Sequence, residues 1–460
     1  MNRSIRASLS FCLLLTVILL ANLTNIHVLK NDEYAQQPTN RRGLIDSFTI
    51  PRGSVLVAGE VIAGSEQGDD GTYHRTYPLD PVPYASVLGY WTPTKDQSGL
   101  EAGYDHYFTG EASAIKQSWD GLFSREKPVG NVELTLNPQV QVAAFDALAR
   151  NNYEGAAVVV KPSTGAILAM ASTPSFDPRS TPIEEIKSQE LALNRATQDA
   201  LPPGSTFKVI TTAAALAQGF TPDSPVTGAA QVPIAGTDMF LENYGGQPCA
   251  GGGTVDLRTA FANSCNTAFV EVADAVGPEK LTEAATLFGV TDSYDLGVAN
   301  VAGTIGEISP SSAIGQQDIR MTALHNAMVA ATVANHGVRM EPYLVEQVVT
   351  NHGKIVEKHS PVKRADVLDT SIAQSLTELM HASELHTPGG DPRIASKTGT
   401  AEHGVDSRNS APHTWYIAFL PDADVAVAVV VKNGGHLGTG ATGGTVAAPI
   451  GRSLLQVAAH

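Results

Sequence analysis

Three short groups of residues in this sequence have the types and spacing for chemistry: Ser205-Thr206-Phe207-Lys208, Ser264-Cys265-Asn266 and Lys397-Thr398-Gly399. In the first, a hydroxyl and an amine stand three residues apart, so on a helix they share a face and the amine can act as a base toward the hydroxyl. That role needs a neutral Lys208. Flanking Phe207, Val209 and Ile210 supply the apolar surroundings that lower an ammonium pKa. In the second group a hydroxyl and a carboxamide two residues apart on a turn can enter a cleft together, Ser264 relaying a proton and Asn266 holding an amide. In the third, Lys397 offers a fixed positive charge, Thr398 and Thr400 offer hydroxyls to a carboxylate, and Gly399 has no Cβ to hinder close approach. A set of this kind supports acyl transfer through a serine nucleophile, with Ser205, Lys208, Ser264, Asn266 and Lys397 in the chemistry and Thr398, Gly399 and Thr400 binding substrate.

No single group is specific. S-x-x-K occurs four times, at Ser113/Lys116, Ser124/Lys127, Ser205/Lys208 and Ser360/Lys363, and S-x-N occurs again at Ser407/Asn409. Each chosen group also has an ordinary reading, Ser205 as a helix N-cap and Ser264 to Asn266 as a capping turn between helices. Context separates the candidates. Pro361 follows Ser360 directly, Ser124 lies in a charged stretch before Pro128, and Ser113 lies in an irregular region, so those three read as solvated surface. Only one combination puts S-x-x-K on a helix, then S-x-N on a turn, then K-T-G on a strand.

The elements that must position these groups are legible as patterns. Pro202-Pro203-Gly204 stops what precedes it, and Ser205 is read as opening a helix over residues 205–219, where the helix dipole favours a developing alkoxide. A short helix over 255–262 leads into Ser264. Residues 394–396 extend into the K-T-G segment as an edge strand, which a peptide can join by backbone hydrogen bonds. Apolar runs at 155–160 and 166–171, joined by turn residues, predict a hairpin buried on both faces, and 415–420 with 425–431 predict a second. Helical periodicity dominates between them and again over 445–459. The resulting fold class is α/β, with a sheet whose outer strands come from distant parts of the chain.

The chain of 460 residues suggests two or three units, and its net charge of −16 excludes a nucleic-acid binder. Arg3 and Arg6 precede an uncharged apolar stretch reaching Leu29. No clear A-x-A follows it, so residues 1–30 read as an uncleaved signal anchor and transmembrane helix rather than a cleaved signal peptide. The positive amino-terminal flank places the rest of the chain outside the cytoplasm. Residues 31–140 read as a β-rich, Pro- and Gly-interrupted lobe and 141–460 as the catalytic unit. Cys12 lies in the apolar segment, leaving Cys249 and Cys265 as either a disulfide or two buried thiols. The 13 histidines form no H-E-x-x-H, and His403, His413 and His436 read as loop residues, so neither a metal nor another cofactor is expected.

The motifs and the text around them resemble the class B penicillin-binding proteins, monofunctional peptidoglycan D,D-transpeptidases. Arg52-Gly53-Ser54-Val55 and Gly99-Leu100-Glu101 are similar to pedestal motifs, although Val57-Ala58-Gly59 departs from the usual D-R-N-G. Residues 155–174, 203–208, 264–269, Ala313-Ile314-Gly315-Gln316-Gln317 and 397–402 are similar to the transpeptidase domain. Leu241 to Gly246 and Ala401-Glu402-His403-Gly404 resemble in particular the A-type penicillin-binding proteins of actinobacteria. The resemblance implies a serine penicillin-binding transpeptidase (β-lactamase-like) fold on an N-terminal β-rich pedestal. It implies an acyl-enzyme on Ser205, Lys208 as base, an oxyanion hole from the Ser205 and Thr400 N–H groups, and β-lactams as covalent ligands. Implied partners are peptidoglycan stem peptides, a SEDS-type membrane glycosyltransferase and the membrane itself. A β-lactamase would need a further carboxylate, and no E-x-x-L-N lies between Ser264 and Lys397. A D,D-carboxypeptidase, or a β-lactam receptor or scaffold, is the alternative that these residues leave open, and the acceptor amine is not legible.

Overall fold

The structure is a computed structural model that describes residues 3–26, 48–94, 96–112, 129–234, 240–309, 312–316, 318–403 and 410–460. Ser113/Lys116, Ser124/Lys127, Ser407/Asn409, Gln317 and Gly404 lie outside the described residues. The apolar N-terminus forms the helix Arg3–Thr24, long and apolar enough to cross a membrane and without a buried residue among those described.

A six-stranded sheet forms the pedestal, in the order Ile355–Lys358, Val345–Thr350, Gly130–Leu134, Val55–Val57, Glu60–Gln67, Tyr73–Thr76. The hairpin at Ala58-Gly59 has φ of 50° and 81° at its two turn residues, as tight two-residue hairpins require. Arg52 and Glu101, picked out in two separate motifs, meet here: Arg52 Nε donates to Glu101 Oε2 at 2.8 Å, and Arg75 Nε donates to Oε1 at 2.7 Å. Burial alone would raise the Glu101 carboxyl, but Arg75 and Arg52 hold it below its ordinary value. Two strands of this sheet, Val345–Thr350 and Ile355–Lys358, come from residues beyond 141, so the stretch read as the catalytic unit also completes the pedestal.

The second sheet has five antiparallel strands in the order Ala395–Ala401, His413–Leu420, Val425–Val431, Gly155–Val160, Ile167–Thr173. The expected hairpins are its strands, and its two outer strands are far apart in the chain. Every residue of Gly155–Val160 and Val425–Val431 is buried, because helices cover both faces and leave no solvent side to alternate toward. One face carries Pro138–Ala149 and Ala447–Ala458, the other Ala323–Ala334. Asn137 starts the first of these helices by accepting from Gln139 N at 2.9 Å and Val140 N at 3.2 Å, with Pro138 preset at the first helical position. His413 begins a buried strand and stacks on His403 at 3.9 Å, which corrects its reading as a loop residue.

Candidate active site

Ser205 does not open an α-helix. Gly204–Phe207 is a 3-10 turn, and the α-helix is Lys208–Ala217. Three contacts fix this turn in place. Trp415 Nε1 donates to Pro202 O at 2.9 Å, Gly204 N donates to Gly315 O at 2.9 Å, and Thr206 Oγ1 lies 2.8 Å from Asn326 Oδ1. Gly204 has φ of +55°, and a Cβ there would lie 3.0 Å from Thr400 O, so glycine is needed both for the turn and for the approach to the K-T-G strand. Ser205 is left half-buried, and its side chain makes no capping or other hydrogen bond among the described residues. The ordinary N-cap reading is therefore not realised.

Lys208 follows one turn later, fully buried. Its Nζ lies 2.7 Å from Ser264 O, 2.8 Å from Asn266 Oδ1 and 3.3 Å from Ser264 Oγ. At rest it is thus held by the S-x-N turn and not by Ser205. Lys397 approaches the same hydroxyl from the other side, with Nζ 3.0 Å from Ser264 Oγ and 3.1 Å from Thr398 O. Burial, and then the neighbouring Lys397, hold the Lys208 amine well below the ordinary lysine value. Burial lowers Lys397 to about 7. The fixed charge expected of Lys397 is accordingly corrected to an amine that titrates near neutrality, because its strand turns it inward under the cleft.

Ser264 sits between the helices Leu257–Ala262 and Asn266–Val276 at φ of 57°, a left-handed conformation that aims its hydroxyl between the two amines. Cys265 is bonded to Cys249, so the disulfide alternative holds, and the bond ties the S-x-N turn to the loop that precedes it. Asn266 Nδ2 donates to Glu242 O at 3.2 Å and Thr267 N to Asn243 Oδ1 at 3.1 Å, giving that loop two further attachments.

Ala395–Ala401 is the edge strand, with Lys397 opposite Ile417 and Gly399 opposite Trp415. A Cβ on Gly399 would meet Pro203 O at 2.7 Å, so the close approach for which glycine is required is to the segment before Ser205. Ser205, Ser264, Asn266, Thr398 and Thr400 line one cleft of about 630 Å³, whose other walls include Glu242, Tyr244, Ile314, Gln316 and Glu402. Lys208 and Lys397 lie beneath it. The structure therefore gathers all eight predicted residues, five as lining, two as floor and Gly399 as the contact between strand and turn. Sequence reasoning missed Trp415 and Asn326 as supports, and it gave Glu242 to Gly246 no place in the site. The signal for that loop was the Cys249–Cys265 pair, which brings it to Ser264. Lys363 of the rejected tetrad is exposed and paired with Asp366, as expected of surface. Among the described residues, no group of three or more His, Cys, Asp or Glu could hold a metal ion.

Such a floor can accept a proton from Ser205 through a neutral amine and pass it on through Ser264, while the open strand edge holds an extended ligand. Residues 155–456 match the penicillin binding protein transpeptidase domain, and residues 52–132 match the penicillin binding protein A dimerisation domain. The chain is 41% identical to the peptidoglycan D,D-transpeptidase PbpA of Mycolicibacterium smegmatis, over all of this chain and 99% of that protein. It is 39% identical to the PbpA of Mycobacterium tuberculosis, with the same coverage. The ceftriaxone acyl-enzyme of M. tuberculosis penicillin-binding protein A superposes with a TM-score of 0.85 at 38% identity, covering 91% of this chain and all of that one. Its penicillin G acyl-enzyme superposes at 0.83, covering 89% and 100%. Motif order, cleft and overall similarity agree, and the chain belongs to the penicillin-binding protein transpeptidase family.

Proposed function

We propose that the chain is a peptidoglycan D,D-transpeptidase that forms an acyl-enzyme on Ser205 and is inactivated by β-lactams at the same atom. The observation that carries this reading is the convergence of two buried amines on Ser264 Oγ, in the cleft that Ser205 also lines. Ser205 Oγ attacks the carbonyl carbon of the penultimate D-Ala of a stem peptide, and its proton passes to the neutral Lys208 amine. The Ser205 and Thr400 N–H groups hold the oxyanion. The tetrahedral intermediate collapses as the C–N bond to the terminal D-Ala breaks, and the proton reaches the leaving amine through Ser264. An amine of a second stem peptide then attacks the ester, loses its proton by the same route in reverse, and releases Ser205. Asn266 orients Lys208 and the donor amide. Lys397, with the Thr398 and Thr400 hydroxyls, receives the donor's terminal carboxylate, and an incoming carboxylate favours the charged form of an amine that otherwise titrates near 7.

In this reading residues 1–30 anchor the chain in the cell membrane by a single pass. Residues 31–140 are a pedestal that docks a SEDS-type membrane glycosyltransferase, and 141–460 are the extracytoplasmic transpeptidase. The apolar helix Arg3–Thr24 with its amino-terminal arginines supports this placement. The test supplies a stem pentapeptide and an amine acceptor and analyses the products by mass. Cross-linked dimer with one D-Ala released per link is expected, whereas tetrapeptide alone under conditions that favour transfer would make the chain a carboxypeptidase.

A further inference from the structure

Behind the K-T-G strand lies a carboxylate that the mechanism does not use. Glu384, on the helix Thr370–His386, is fully buried, and donors occupy both of its oxygens. Arg452 Nε donates to Oε1 at 2.6 Å and Asp391 N donates to it at 3.0 Å. Oε2 accepts from Tyr416 OH at 2.9 Å and from the hydroxyl of Ser396. Burial, followed by the Glu384 charge, keeps the Tyr416 phenol protonated and so a donor. With each oxygen doubly engaged, the carboxylate has no freedom to swivel.

Ser396 is the residue before Lys397. Successive side chains of a strand point to opposite faces, so a bond that holds Ser396 to the back of the sheet holds Lys397 toward the cleft floor. This matters because, among the described residues, Ala395–Ala401 is an edge strand with a backbone ladder on one side only, toward His413–Leu420. Its rotation about its own axis is resisted by that ladder and by whatever grips its side chains. The same helix grips the start of the strand again, His381 Nδ1 donating to Ile394 O at 2.8 Å. A small roll of the strand would carry Lys397 Nζ out of its 3.0 Å contact with Ser264 Oγ, and catalytic groups tolerate only about 0.5 Å of such error.

We infer that Glu384 is a positioning residue for the acyl-transfer reaction: through its bond to Ser396 it sets the roll of the K-T-G strand, and with it the place of Lys397 against Ser264. The inference rests on the reading of Lys397 and Ser264 given above. Charge-assisted bonds of this kind are the strong ones, which suits a side chain that sets the roll of a strand.

The test measures acylation of the full chain by a fluorescent penicillin over a range of concentrations, separating initial binding from the acylation rate at saturation. Ser396→Ala is expected to slow acylation at saturation about fivefold, the equivalent of one ordinary hydrogen bond. Glu384→Gln is expected to slow it about tenfold, and the double variant to match Glu384→Gln within about twofold, because the two residues act through one contact. Tyr416→Phe removes the other hydroxyl on the same oxygen but leaves the strand's own bond, and is expected to stay within about twofold of wild type. A wild-type rate in Ser396→Ala overturns the proposal, even if its thermal stability falls. Multiplying effects in the double variant overturn it too, as does Tyr416→Phe slowing as much as Ser396→Ala, which would signify general loosening of the core. If Glu384→Gln does not fold, the contrast between Ser396→Ala and Tyr416→Phe decides alone. Mapping the adduct separates this outcome from failure of the underlying reading, since an adduct away from Ser205 condemns the latter.

Discussion

Replacing Ser264 by alanine and, separately, by glycine separates its chemistry from its backbone strain. Its hydroxyl is shared by the two buried amines, at 3.3 Å from Lys208 Nζ and 3.0 Å from Lys397 Nζ. Both variants remove the proton relay, and general acid–base catalysis of this kind contributes about 10²- to 10⁴-fold, or about 3–5 kcal/mol of barrier. Both also take one acceptor from each amine, Lys208 keeping Ser264 O and Asn266 Oδ1, and Lys397 keeping Thr398 O. They differ in the backbone. At φ of 57° a side chain costs about 1–2 kcal/mol, while glycine forfeits about 0.5–1 kcal/mol through the entropy of the unfolded chain. The balance makes Ser264→Gly more stable than Ser264→Ala by about 1 kcal/mol. Fluorescent-penicillin acylation at saturation reports the first effect and equilibrium denaturation the second. Both variants should be slow by at least a hundredfold, with glycine the more stable. An acylation rate near wild type in either variant refutes the relay, and alanine equal to or more stable than glycine refutes the strain argument.

Four other outcomes follow from the structure. Acylation needs a neutral Lys208, whose pKa is depressed by burial and then by Lys397, so the rate should fall as pH falls through that depressed value. In stability terms, between about 7 for folded Lys397 and ~10.4 for an unfolded lysine the unfolded chain binds the extra proton. Unfolding free energy should therefore rise with pH across that window, as a denaturation series would record. Cys249 and Cys265 are 16 residues apart, and opening a loop of that size costs about 3 kcal/mol. A dithiol reductant should lower stability by that order and slow acylation, because Asn266 stands beside the freed Cys265; mass shift after alkylation confirms the reduction. Glu101→Gln leaves Arg52 and Arg75 buried without their shared carboxylate and should destabilise the chain by about 3–5 kcal/mol, measured by denaturation, while penicillin still labels Ser205 in the folded fraction.

Much of the site was legible because acyl transfer by serine needs few residue types in a constrained order. Ser205, Lys208, Ser264, Asn266 and the K-T-G strand could be chosen from four S-x-x-K and two S-x-N candidates by asking which local pattern gave a helix, a turn and an edge strand. The strands of the central sheet were legible because burial on both faces writes continuous apolar runs. What escaped depends on contacts between distant parts of the chain. Nothing local shows that Gly204–Phe207 tightens into a 3-10 turn, since Pro202 is held by Trp415 more than 200 residues away. Nor does local pattern show that Lys397 is buried enough to titrate near 7, that Ser264 is left-handed, or that residues 345–358 complete the pedestal sheet. Glu384 reads in sequence as one polar position on an amphipathic helix. Its partners Ser396, Tyr416 and Arg452 are brought to it by the fold alone.

The proposed mechanism stands or falls with Ser205 as the acylated nucleophile. Incubating the protein with penicillin and locating the covalent adduct by peptide mass spectrometry tests it most directly. The expected result is one adduct, on the peptide that holds Ser205, absent from Ser205→Ala; an adduct on another residue, or undiminished labelling of Ser205→Ala, would contradict it.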